Sequence, residues 1–432
     1  LDDTDTFADI GSVSTYVRSG STWTWQAKLT PGDGSNFHEF GHDIALSGNT
    51  LVAGSHYFSS PSQSTKRGAA YIYVSGGSTW TLQGRVQPAD VDGGDEFGTS
   101  VAISGESLLA GAPFDDTIAG NSAGTAGVFV RNSGVWIQQA QLSAGNGAAE
   151  HRFGLSVSLS GTTALVGAPS ADAPTAVNAG AVYVFVRNGS AWTQQARLTA
   201  ADAEEDAKFG SSIALTADTA IIGSPLKDGS IPNSFQPDVG AVYVYVRNGS
   251  VWTQQAKLTA SDNQTGDEFG NAVAINGDTI LVGAWREGSA ISNKEGSAYV
   301  FTRSGAAWVQ QAKLVAPDAA LNDSLGSAVA LSSDTALVSA KNGGSPTNPG
   351  VGSVYVFARS GTAWTFQAEL TAEDVMEGGF GRSVSVSGNT AMVGFPSADN
   401  SMADASGAVY VYVRSGVNWG APSRLVPNVP VS

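Results

Sequence analysis

A phenylalanine-glycine pair returns along this chain with a period of about 56 residues. Phe40, Phe97, Phe153, Phe209, Phe269 and Phe380 each precede a glycine, and Leu325 takes the same place before Gly326. Fourteen residues after each comes a second landmark: Gly54, Gly111, Gly167, Gly223, Gly283, Ser339 or Gly394. Twenty residues further stands Arg131, Arg187, Arg303, Arg359 or Arg414, and five more lead to Trp136, Trp192, Trp308, Trp364 or Trp419. A unit this short cannot bury a core alone, so neighbouring copies must stack, and the period restricts the chain to solenoids and propellers.

Within each copy the patterning is that of short strands. Val101-Ala102-Ile103, Val157-Ser158-Leu159 and Val273-Ala274-Ile275 alternate large and small side chains with period two. Two-residue turns such as Gly48-Asn49 and Gly277-Asp278 then lead into nearly all-apolar runs, Leu165-Val166-Gly167 among them. A third run places an aromatic residue two before the arginine position in all eight copies, from Tyr16 and Tyr73 to Tyr412. A fourth reads Trp-Thr-Gln-Gln-Ala-Lys-Leu in its clearest copy, Trp252 to Leu258. No segment has a helical pattern. Four antiparallel strands per copy and seven Phe-Gly copies predict an all-β chain: a seven-bladed β-propeller of four-stranded antiparallel blades.

The Trp hairpin occurs eight times, beginning at Trp23, and the Phe-Gly hairpin seven. One terminal hairpin is therefore surplus. The expected organisation is a single domain over residues 1–432, with an N-terminal hairpin at 1–30 that closes the ring or is left over. Seven repeats follow at 31–426, and a proline-containing tail at 427–432.

Charge narrows the partners. The net charge of −16 and pI near 4.5 exclude nucleic acid, which needs clustered Lys and Arg. No apolar run approaches the roughly 20 residues of a membrane span, so no membrane insertion is expected. There is no cysteine, hence no disulfide or thiolate metal site. The chain begins at Leu1, which fits a mature protein whose signal peptide has been removed and an extracellular or cell-surface location.

Phe153-Gly154 with Gly167-Ala168-Pro169, repeated as Phe97-Gly98 with Gly111-Ala112-Pro113, resembles the FG-GAP repeat of integrin α-subunit propellers and their bacterial relatives. The resemblance implies an extracellular adhesion or recognition protein. It also implies calcium in an Asp-x-Asp-x-Asp-Gly loop between the first two strands. Here that connection is a tight turn, as in Ser47-Gly48-Asn49-Thr50. Acids lie instead ahead of Phe-Gly: Asp90, Asp92 and Asp95, Asp202 and Asp206, Asp262 and Asp267. Such loops could hold calcium, which takes six to eight oxygens, or could simply cap turns.

Strand alternation places the long connection after Gly-Ala-Pro and the acidic connection before Phe-Gly on one face. That face should carry Tyr57, Phe58, Phe114, Trp285 and Phe395, open either to a cell-surface glycan or protein or to packing between blades. The arginines should stack on the tryptophans five residues on, or form a ring that meets an acidic ring on another copy and builds filaments. Among the four histidines, His42 and His56 should face each other across the first hairpin with His38 close in sequence, leaving open a metal site or surface placement.

No nucleophile elbow or phosphate loop is present. The expected function is a non-enzymatic structural or adhesion protein that self-assembles as a homo-oligomer or filament through its surplus hairpin or face-to-face propeller contacts. The alternative is a lectin-like module, with a polysaccharide-active enzyme a remote third reading. No cofactor is required, and calcium is the ion the acidic loops would take.

Overall fold

A computed structural model describes residues 12–19, 22–31, 38–59, 65–77, 79–229, 237–288, 294–343, 350–372, 378–396 and 408–425. Among these there is no helix, and every element is a strand. A two-stranded sheet of β1 (Val13–Ser19) and β2 (Thr22–Leu29) comes first. Seven antiparallel sheets follow as propeller blades, at residues 44–86, 100–142, 156–198, 212–258, 272–314, 325–370 and 383–425. Each blade pairs its strands in chain order. The surplus hairpin is thus the N-terminal one, because the last blade supplies its own fourth strand. That strand is split: Asn418–Trp419 and Ser423–Leu425 both pair with the third strand. Pro422 lies between the pieces, where a ladder donor is missing. The acidic segment Asp2 to Asp5 and the tail 427–432 lie outside the described residues.

The described residues divide into two compact units, the first mainly the chain up to Asp218 and the second mainly the chain from Thr219. In both, the core lies between successive blades. In the first unit Phe97 joins Val52 and Ile72 of blade 1 to Leu108 and Phe129 of blade 2. In the second, Phe380 joins Leu337 and Val356 of blade 6 to Val393 and Tyr410 of blade 7. Full burial of one such ring contributes about 1.5–3 kcal/mol, which is why an aromatic opens almost every copy.

The glycine landmarks are places where blades touch backbone to backbone. A Cβ on Gly111 would overlap the carbonyl oxygen of Gly154 in the next Phe-Gly pair, and one on Gly283 that of Gly326. Where Ser339 replaces this glycine, its hydroxyl donates to the Gly381 carbonyl across 2.5 Å. The first turn of each blade is closed by two residues, as between Ser160 and Thr163, with Gly161 at φ 56°. The calcium loop implied by the resemblance does not fit there: two residues cannot supply its ligand set.

Outer strands are tied by a repeated contact. Trp136 Nε1 donates to Gln83 Oε1 of the preceding blade at 2.7 Å, Trp192 to Gln139 at 2.8 Å and Trp364 to Gln311 at 2.8 Å. The N-terminal hairpin obeys the same rule, since Trp80 donates to Gln26 at 2.7 Å. The arginines stack as expected, with Arg131, Arg247, Arg303, Arg359 and Arg414 lying 5.4–5.8 Å from the centres of their tryptophans. Each is also engaged by an acceptor at the first turn of its own blade, for example Asp334 with Arg359 at 2.6 Å and Asn389 with Arg414 at 3.0 Å.

Candidate ligand-binding site

The loops after the second strand and before Phe-Gly meet, as sequence alternation requires. Gly68 bridges Phe97, Gly180 bridges Phe209 and Gly240 bridges Phe269. The residue before Phe-Gly takes a left-handed conformation in copy after copy: Glu39 (φ 49°), Glu96 (φ 55°), Arg152 (φ 55°), Lys208 (φ 57°), Glu268 (φ 52°). In blades 1 and 5 this backbone sets the side chain beside the third residue of the Gly-Ala-Pro element, Glu39 beside His56 and Glu268 beside Trp285.

In blade 5 that third residue is Trp285, half-buried, and its Nε1 donates to Glu268 Oε2 at 2.8 Å. Arg286 donates to the other Glu268 oxygen and its guanidinium lies 5.1 Å from the indole centre. Lys341, at the same repeat position in blade 6, places Nζ 4.2 Å from the indole centre. Burial pushes the Lys341 amine below the usual lysine value, and Arg382 and Arg286 push it the same way while Glu268 opposes them. One indole is therefore held between two cations and one carboxylate, with Arg382 close enough to act on Lys341, on a chain whose net charge is −16. A ring that carries an anionic group fits such a place: its face meets indole and its charge meets Lys341, Arg286 and exposed Arg382.

The other aromatics expected on this face are distributed differently. Phe58 and Phe395 are each 1% exposed, and the expectation that they bind ligand is corrected: both are core residues. Phe58 packs on Phe40 and Tyr71, and Phe395 on Phe380 and Tyr410. Apolar rings at these positions gain more from inter-blade burial than from solvent. Phe114 is half-buried beneath the Arg152 guanidinium at 5.4 Å, and Tyr57 lies beneath Lys66 Nζ at 3.4 Å.

The acids ahead of Phe-Gly mostly serve the protein itself. Asp95 and Asp267 are buried and cap their turns, accepting from the N–H of Asp92 at 2.5 Å and of Gln264 at 2.6 Å. Asp262 accepts from the buried Tyr299 hydroxyl at 2.9 Å and pairs with Lys313 at 2.7 Å. Asp206 pairs with Lys208 at 3.1 Å, which holds its carboxyl below the usual range. Asp90 and Asp202 are exposed, and exposed Asp92 is 3.6 Å from Arg67. The expected acids are not gathered around one point. Among the described residues the group of three donors close enough to share an ion is Glu39, His42 and His56.

Blade 2 stands apart. Gln141 occupies the register place of Lys313, and Gly127 that of Tyr299. Asp115 is left without a cation there, accepting from Thr125 at 2.5 Å. Its pKa is pushed up to about 6 by burial, with the Thr125 hydrogen bond opposing and the charges of Asp95 and Asp90 adding.

A family model described as the FG-GAP repeat matches seven segments: residues 23–73, 80–129, 136–185, 192–245, 252–301, 308–357 and 364–412. The first match starts in β2 of the N-terminal hairpin and the other six at a blade's fourth strand, and each ends in the third strand of the blade that follows. Among solved structures, the chain is similar to Saccharomyces cerevisiae Sqt1, with 11% identity and a TM-score of 0.52 over 89% of this chain and 84% of that one. It is likewise similar to a putative 6-phosphogluconolactonase from Bacteroides fragilis NCTC 9343, with 9% identity and a TM-score of 0.52 over 84% of this chain and 91% of that one. At these identities the likeness is one of fold. No curated protein matches the sequence significantly.

Proposed function

The chain belongs to the FG-GAP repeat family, and from that premise and the cation-flanked Trp285 we propose a non-enzymatic recognition protein that adheres through its loop face to an acidic glycan. Repeats of this family are typically extracellular, which supports action outside the cell or at its surface. No helix among the described residues is long and apolar enough to cross a membrane. The observation that carries the reading is the placing of Lys341 and Arg286 around one half-buried indole. A rigid scaffold presenting a ring and fixed charges is a general route to small-ligand recognition. The test is a binding screen of the intact protein on uronate-bearing, sulfated and neutral saccharides. The reading expects the acidic members to bind, Trp285→Ala and Lys341→Glu to lose them, and salt to weaken them. Binding to neutral sugars alone, or binding unchanged in both variants, would overturn it.

A second reading, self-association through the N-terminal hairpin, is favoured by one observation. Among the described strands β1 pairs with β2 alone, and the Trp23 indole N–H is buried without a partner. The other tryptophans of the series donate to a glutamine, as Trp419 does to Gln367 at 2.8 Å. Light scattering across a wide concentration range tests this: a constant monomer mass would end it.

A further inference from the structure

At the opening of the first blade, Glu39, His42 and His56 bring one carboxylate and two imidazoles together, with one donor atom from each lying within 4.8 Å of the others. Glu39 Oε2 is 3.5 Å from His56 Nε2 and 4.0 Å from His42 Nδ1, and the two imidazole centres are 3.9 Å apart. All three positions are fixed by the repeat backbone. Glu39 takes the left-handed place before Phe40, His42 follows Gly41, and His56 stands where other copies have the proline of Gly-Ala-Pro. The corresponding residues of the second copy are Glu96, Thr99 and Pro113, and of the third Arg152, Leu155 and Pro169, so the fold itself does not require this trio.

His56 turns its Nε2 toward the other two donors, 3.5 Å from Glu39 Oε2. Its ring is 5% exposed and its Nδ1 is buried with no hydrogen-bond partner. The ring packs against Tyr57, the centres 4.0 Å apart and the planes tilted by 41°.

We propose that Glu39, His42 and His56 form a binding site for a first-row divalent transition metal of the zinc class. Two imidazoles and a carboxylate are the donor set such ions take, whereas calcium asks for six to eight oxygens. Zinc bonds of about 2.0–2.1 Å in a tetrahedron put donors about 3.4 Å apart. The separations of 3.5 Å and 4.0 Å come to that value through small side-chain rotations. His42 is 42% exposed, so the remaining coordination place opens to water. Lys66, which lies over Tyr57 at 3.4 Å, is a neighbouring cation and Glu96 a neighbouring anion. The bound ion would clasp the connection before the first strand to the one after the second, bracing the first Phe-Gly turn.

The experiment uses the full chain after treatment with chelator, titrated with ZnCl2 by calorimetry and with CoCl2 by visible absorption. One equivalent of zinc is expected, together with cobalt d–d bands that indicate nitrogen ligation and a raised melting midpoint. Excess CaCl2 should not displace either ion. His42→Gln, at an exposed position where folding is not at risk, and His56→Gln should each weaken zinc at least about tenfold, while His151→Gln should not. Zinc that binds no better to the wild type than to His42→Gln, or that calcium displaces at equal concentration, would overturn the site. So would a cobalt spectrum unchanged by both substitutions.

Discussion

Trp136 Nε1 donates to Gln83 Oε1 at 2.7 Å, joining the fourth strands of two consecutive blades. Trp136 is 9% exposed, so loss of the acceptor strands a donor away from water. Gln83→Ala is expected to destabilise the protein by about 1–3 kcal/mol, read as a lowered denaturant midpoint with an unchanged slope. Gln26→Ala should act in the same direction through Trp80, since Gln26 is the acceptor there. A neutral result at Gln83 would mean that the contact is not maintained in solution.

Two glycines that look alike in sequence should respond oppositely. Gly111→Ala drives a methyl into the Gly154 carbonyl between blades, and a cost of about 3 kcal/mol or more is expected. At Gly84 a methyl would have nothing within 4 Å, and the backbone there is not left-handed. Gly84→Ala should be neutral, or stabilising by about 0.4–1 kcal/mol through the unfolded chain. Thermal melts of the two variants side by side check the contrast.

Asp115 predicts a pH dependence with a definite sign. Its folded pKa, pushed up to about 6, lies above the usual aspartate value of 3.8. Between those values the folded state holds a proton that the unfolded state has released, so this group's contribution to stability falls as pH rises through the window. Wild type should lose about 2–3 kcal/mol relative to Asp115→Asn between pH 4 and pH 7, at about 1.4 kcal/mol per pH unit. A stability difference that does not change across that range would refute the assignment.

The same register place in two blades allows an exchange test. Lys313 is paired with Asp262 at 2.7 Å and with Glu287 at 3.0 Å, and its counterpart beside Asp115 is Gln141. Lys313→Gln should destabilise by about 2 kcal/mol at neutral pH because two partly buried carboxylates lose their counter-charge. Gln141→Lys should do the reverse in blade 2, and more at pH 7 than at pH 4, where Asp115 is largely protonated. Urea midpoints of both variants at the two pH values decide the matter.

Much of the architecture is written in period and spacing. Phe97, Gly111, Arg131 and Trp136 mark one blade, and their recurrence gave strand order, turn length and blade number, because each depends on residues near in sequence and on a two-residue alternation. The cation-flanked cluster was legible only at Trp285, and there because tryptophan replaces the repeat's proline. The same departure from the repeat marks Lys341 and His56, so deviation within a periodic pattern was the available signal. Glu268, Arg286, Lys341 and Arg382 were missed, as was Glu39 beside His42 and His56. His38, expected near that pair, serves the backbone instead, its Nε2 accepting from the Ser59 N–H at 3.4 Å.

Sequence alone therefore determined that this chain is a series of repeated four-stranded blades with one hairpin to spare. Tertiary structure decided that the spare hairpin is the N-terminal one, that Phe58 and Phe395 face the core while Trp285 meets cations, and that Asp95 and Asp267 cap turns. The physical reason is distance along the chain. Strand and turn are set by neighbours a few residues away, whereas an indole's surroundings depend on Lys341 and Arg382, brought in from later blades by packing that a periodic sequence describes only on average.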